Sequence, residues 1–120
     1  LISHLKENFN NVDFKQVRSI EGLNIEICDL LINATPIGMK ETDPSLVDEK
    51  YIHKNLFVYD LIYKPSETKL LKLAKLKGCR ISNGLGMLLY QGALSFEHFT
   101  GRPAPIKIMS EALNKGVNKL

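Results

Sequence analysis

The chain has 120 residues, enough for one domain around one hydrophobic core, and its net charge of +3 is spread along its length. With 44% hydrophobic and 24% charged residues and no low-complexity segment, it is neither a disordered nor a fibrous sequence. No apolar stretch reaches the roughly 18 residues of a membrane helix, and the lysines at 69, 72, 75 and 77 read as a solvated helix face rather than a nucleic-acid surface.

Leu1, Leu5 and Phe9, interleaved with polar residues, read as the end of an amphipathic helix. A chain that opens inside a helix is expected to be a piece of something longer. Val12–Val17 alternates apolar and polar residues, the pattern of a half-buried strand. Glu21–Ile27 reads either as a loop or as one helical turn. Asp29–Asn33 is a continuous apolar run, as in a strand covered on both faces. Pro36, Gly38 and Pro44 make 34–50 a long loop, with a short helical turn at Asp48–Lys50.

Leu56–Asp60 is the next buried strand. Pro65 and Ser66 open a helix with Ser66 as N-cap, Leu70, Leu73 and Ala74 fall at helical spacing, and Gly78 closes it. Cys79–Ser82 is a short strand. A long helix follows over 84–99, closed by Gly101, and Pro103 and Pro105 separate it from a last helix over 106–114. The order predicts an α/β domain with a parallel sheet of three or four strands, near 12–17, 29–33, 56–60 and 79–82, and flanking helices.

In open α/β sheets, ligands bind beyond the carboxyl ends of the strands. Asn33-Ala34-Thr35-Pro36-Ile37-Gly38-Met39, Asp60-Leu61-Ile62-Tyr63-Lys64-Pro65 and Asn83-Gly84-Leu85-Gly86-Met87 all leave such ends, so a parallel sheet sets them along one rim. On the long helix, Leu85, Leu88, Leu89, Gly92, Phe96 and Phe99 form the expected packed face, while Gly84, Met87 and Gln91 share another stripe. Gly84 permits close approach of backbone or ligand. The Gln91 amide suits a polyhydroxylated ligand, although the pattern alone equally describes an exposed helix glutamine. Tyr63 has a phenol for a substrate hydroxyl or carboxylate; as a bare pattern it is a packed loop aromatic. His4, His53 and His98 share no metal-ligand spacing with one another or with Cys28 and Cys79, so no metal is expected. The two cysteines read as small buried hydrophobes in a reducing, cytoplasmic setting.

Taken together, Asn-Ala-Thr-Pro-Ile-Gly-Met (33–39), Tyr-Asp-Leu-Ile-Tyr-Lys-Pro (59–65), Asn-Gly-Leu-Gly-Met-Leu (83–88), Tyr-Gln-Gly-Ala (90–93), Phe96-Glu97 and Thr100-Gly101 resemble the C-terminal half of the shikimate dehydrogenases. The resemblance runs from about Asp29 to Ala112; residues 1–26 match only loosely. It implies a partial Rossmann-like, NADP-binding domain and the reduction of 3-dehydroshikimate to shikimate with NADPH. It further implies that Tyr63 and Gln91 contact the substrate, and that Ala34, Thr35, Leu61 and Gly84 face the cofactor, with Leu61 where the family often has Met. Asn83 stands where some members have Asp.

The family's substrate domain, its Ser-x-Ser clamp, its proton-handling Lys and Asp, and its glycine-rich phosphate loop are absent from these 120 residues. No catalytic residue is therefore assigned here, and the chain alone is expected to be inactive. In the order 3-2-1-4-5-6 the four segments are strands 3, 4, 5 and 6. The edge of 29–33 then lacks its neighbour and is expected to pair with 12–17 or with another copy of the chain. An NAD-dependent quinate/shikimate dehydrogenase, and a non-catalytic nucleotide- or partner-binding fragment, are the competing readings.

Overall fold

The computed structural model of the chain describes residues 1–119. Strands β1 (Leu30–Asn33), β2 (Phe57–Asp60) and β3 (Arg80–Ser82) form one parallel sheet in that order. The register sets Leu31, Val58 and Ile81 side by side, and pairs Asn33 with Asp60 at the strand ends.

Helix α2 (Lys69–Leu76) makes the crossover from β2 to β3. Its Leu70, Leu71 and Ala74 are buried, in one cluster with Val58 of β2 and with Ile25, Val47, Ile52 and Leu56 from the loops. Three lysines on the helix's other stripe stay exposed, as an amphipathic helix requires. Two 3₁₀ turns, Ile20–Leu23 and Ile25–Ile27, deliver Ile25 to this core. A third, Glu49–Tyr51, is capped by Asp48.

The helix opens later than the sequence suggested. Its N-cap is Thr68, whose hydroxyl accepts from the Leu71 amide at 3.3 Å; Ser66 lies in the preceding bend. Thr68 wins because its hydroxyl also reaches Asp60 at 2.6 Å. One side chain there both caps the helix and satisfies a buried carboxyl.

The expected strand at Val12–Val17 is not formed. Helix α1 (Ile2–Asn8) precedes an irregular segment in which Phe14 packs on Phe9, ring centroids 6.5 Å apart, and Val17 packs on Gly22. Phe14 and Val17 make local contacts while Val12 stays exposed, and β1 keeps a free outer edge among the described residues. Nor is the sheet covered on both faces. Away from α2, Leu30 and Ile32 are about half exposed, beside Phe57 and Tyr59 stacked at 6.5 Å and Arg80 over the Phe57 ring.

Helix α3 spans Leu85–Thr100, and α4 (Ile106–Lys119) packs back on it, with Met109 beside Gly92. Along α3, Leu85, Leu88, Leu89 and Gly92 are half-buried, but Phe96 and Phe99 are exposed and the buried residue is Ala93. The predicted stripe holds only over the first half of the helix, which is seated on the Leu61–Ile62 backbone and packed by α4. Beyond Ala93 every residue of the helix is exposed. Helix α4 continues past Asn114 because no proline follows to stop it.

Candidate functional site at the strand ends

The parallel register brings Asn33 and Asp60 together at the carboxyl rim, and both are buried. A buried carboxyl costs free energy unless its oxygens are hydrogen-bonded. Here the Asn33 amide donates to Asp60 Oδ1 at 3.1 Å, the Ile62 N–H donates to the same oxygen at 3.0 Å, and Thr68 Oγ1 donates to Oδ2 at 2.6 Å. Asp60 thus fixes the start of α2 and the turn leaving β2.

Asn33 fixes the other loop. Its Oδ1 accepts from Thr35 N at 3.0 Å and Thr35 Oγ1 at 2.7 Å, and its Nδ2 donates to the Ile37 carbonyl at 3.1 Å. Further on, Gly38 takes φ +111°, a conformation few side-chain-bearing residues adopt. Its N–H and that of Lys40 donate to Asp43 Oδ2 at 2.9 and 3.0 Å. Those backbone donors hold the Asp43 carboxyl below its usual pKa, with Lys40 and Lys69 adding to the effect.

Helix α3 is seated on the β2 exit. The Gly84 N–H donates to the Ile62 carbonyl at 3.1 Å, and a Cβ at position 84 would lie 1.9 Å from the Leu61 carbonyl oxygen. Close approach was expected of Gly84; the approaching group is Leu61 backbone. Asn83 buttresses the joint, donating to the Ser66 carbonyl at 3.0 Å and accepting from Leu85 N at 3.1 Å. The first of these bonds needs an amide N–H, which an aspartate lacks.

A cavity of about 540 Å³ opens beside these loops, lined by Thr35, Met39, Leu61, Ile62, Tyr63 and Lys64. The site residues expected from sequence divide accordingly. Thr35, Leu61 and Tyr63 converge on this wall. Gly84 supports it from behind through Leu61. Ala34 is exposed in its loop and Gln91 is exposed on α3, its amide donating to the Leu88 carbonyl at 3.3 Å; neither lines the cavity. Sequence reasoning gave no role to Asp60 or Thr68. Their signal was a carboxylate at a strand end followed by a hydroxyl at the next helix start.

Residues 84–113 match the family model of the Shikimate 5'-dehydrogenase C-terminal domain. A shikimate dehydrogenase (NADP(+)) of Methanopyrus kandleri is 48% identical over 87 residues, covering 71% of this chain and 30% of its own length. A shikimate dehydrogenase solved with NADP+ superposes with a TM-score of 0.75 at 40% identity, over 80% of this chain and 34% of that one. The chain belongs to the shikimate dehydrogenase family. A Listeria monocytogenes shikimate 5-dehydrogenase, solved with shikimate and NAD, matches at 40% identity with a TM-score of 0.68, over 74% of this chain and 32% of that one. The chain thus spans about a third of the length of these shikimate dehydrogenases. Of the residues at the strand-end rim and on α3, Gly84 and Gln91 lie within the segment matched by the family model.

Proposed function

We propose that this chain forms one wall of the active site of an NADP-dependent shikimate dehydrogenase, which interconverts 3-dehydroshikimate and shikimate. The observation that carries the reading is the convergence of Thr35, Leu61 and Tyr63, from two separate loops, on one cavity at the sheet's carboxyl rim. Its lining suits a nicotinamide and a polyol together. Met39, Leu61 and Ile62 offer apolar surface to a flat ring, and Tyr63 and Lys64 offer polar groups beside it. When bound, the nicotinamide supplies the hydride.

The chain's own part is positional. Ala34, Thr35, Leu61 and Gly84 hold the cofactor's nicotinamide end, and Tyr63 and Gln91 orient the substrate ring. The domain is read as the C-terminal portion of a Rossmann-like NADP-binding domain in a cytoplasmic enzyme, and residues 1–120 alone are proposed not to turn over. The Listeria relative holds NAD and the other solved relative NADP+ at equal identity. The choice between the two cofactors is accordingly assigned to parts of the family's fold outside this segment.

Substitution in the whole enzyme tests the reading. Tyr63→Phe deletes one hydrogen bond to substrate, about 1 kcal/mol, so KM for shikimate should rise about fivefold with KM for NADP unchanged. An unchanged shikimate KM in both Tyr63→Phe and Gln91→Ala would remove the proposed substrate wall. NADP-dependent oxidation of shikimate by the 120-residue chain alone would overturn the assignment of catalysis to residues outside it.

A further inference from the structure

Beside the first cavity lies a second, of about 460 Å³, sharing Met39 and Lys64 with it and lined also by Gly38, Lys40, Glu41, Glu67, Thr68, Lys69 and Lys72. Four lysines from three segments converge there: the loop after β1, the turn after β2, and α2. The other two lysines of the α2 cluster face carboxylates, Lys75 that of Glu67 at 2.6 Å and Lys77 that of Glu49 at 4.0 Å. Glu67, the lining carboxylate nearest α2, is therefore committed to a lysine outside the cavity. Lys69 donates to the Asp43 carbonyl at 2.6 Å, which holds its ammonium in place. Asp43 itself turns its carboxylate to backbone N–H groups. Among the described residues, Lys40, Lys64 and Lys72 lie within 4.0 Å of no carboxylate.

We propose that this lysine-lined cavity is a phosphate-binding site. Several ammonium groups around one cavity match a group carrying several charged oxygens rather than a single carboxylate, and lysine is a point-charge phosphate binder. The site is independent of the proposed dehydrogenase role. The phosphate is either a free anion or part of a small organic phosphate.

The test is a titration of the ¹⁵N-labelled chain with inorganic pyrophosphate and, separately, with ADP, at low ionic strength. Saturable shifts are expected at the amides of Gly38, Glu41, Thr68 and Lys69. Lys40→Gln/Lys72→Gln should weaken binding about tenfold or more, whereas Lys15→Gln/Lys107→Gln, which removes the same charge away from the cavity, should change it less than about twofold. Tighter binding of ADP than of pyrophosphate identifies an organic phosphate, and equal binding a free anion. Unsaturable shifts, or equal losses in the two double variants, overturn the site. All four lysines are exposed, so both variants should keep the parent's amide dispersion, and the single variants Lys40→Gln and Lys72→Gln serve if they do not.

Discussion

Gly84→Ala is the sharpest probe of how α3 is seated. The new Cβ would meet the Leu61 carbonyl at 1.9 Å for oxygen and 2.6 Å for carbon, both backbone atoms that no rotamer change can move. Reaching ordinary contact at 3.4 Å requires the helix start and the loop to part by about 1.5 Å. That separation breaks the Gly84 N–H to Ile62 carbonyl bond, about 1 kcal/mol net, and disturbs packing at a cost of about 1–3 kcal/mol. The backbone at Gly84 is right-handed, φ −73°, so alanine adds no conformational penalty. The expected loss is about 2–4 kcal/mol in denaturant unfolding. Gly86→Ala is the matched control. Its Cβ would meet nothing within 4 Å, and helix propensity should make it more stable by up to about 1 kcal/mol. If Gly84→Ala unfolds at the parent's midpoint, the seat of α3 on Leu61 is not as described.

Thr68→Val removes the α2 cap and the hydroxyl donor to Asp60 together; unfolding should cost about 2–4 kcal/mol, and a loss below about 1 kcal/mol would deny the coupling. The Asp43 carboxyl, held low by the Gly38 and Lys40 amides, should contribute its loop stabilisation above the ordinary aspartate range near pH 4 and lose it as pH falls through the lower folded pKa. The amide shifts of Gly38 and Lys40 should titrate with that low midpoint and stop doing so in Asp43→Asn; a midpoint at or above the ordinary aspartate range contradicts the geometry. The free β1 edge should make the isolated chain associate with concentration in sedimentation, and Ile32→Lys should return it to monomer. A parent that stays monomeric throughout argues against edge pairing.

The sheet was legible because its first two strands are short apolar runs bounded by turn residues, and a crossover helix with leucine and alanine at helical spacing leaves few topologies. The rim followed from the parallel order alone. What could not be read was set by contacts distant in sequence. Ser66 and Thr68 are equally good caps by composition; the choice was made by Asp60, eight residues upstream on another element. Val12–Val17 has a strand's pattern, but a strand exists only with a partner, and Phe9 and Gly22 compete for its apolar residues. Phe96 and Phe99 have the right spacing for burial, and spacing is silent about which turns of a helix are covered.

The two halves of the rim differ in how firmly they are held. Thr35 and the loop leaving β2 are locked by side chains buried within the same network, Asn33 and Asp60, so their places follow from strand register. Gln91 has no such tie. It sits seven residues beyond Gly84, nearly two full turns and about 10 Å along the axis, which returns it to almost the same stripe of α3. The direction in which Gln91 points is therefore set at the Gly84–Leu61 contact, and any tilt there is carried along the helix to the glutamine. A displacement of about 1.5 Å at the helix start is enough to take a hydrogen-bonding amide out of range. If Gln91 contacts substrate as proposed, Gly84→Ala should raise the shikimate KM of the whole enzyme as Gln91→Ala does, although the glutamine itself is intact.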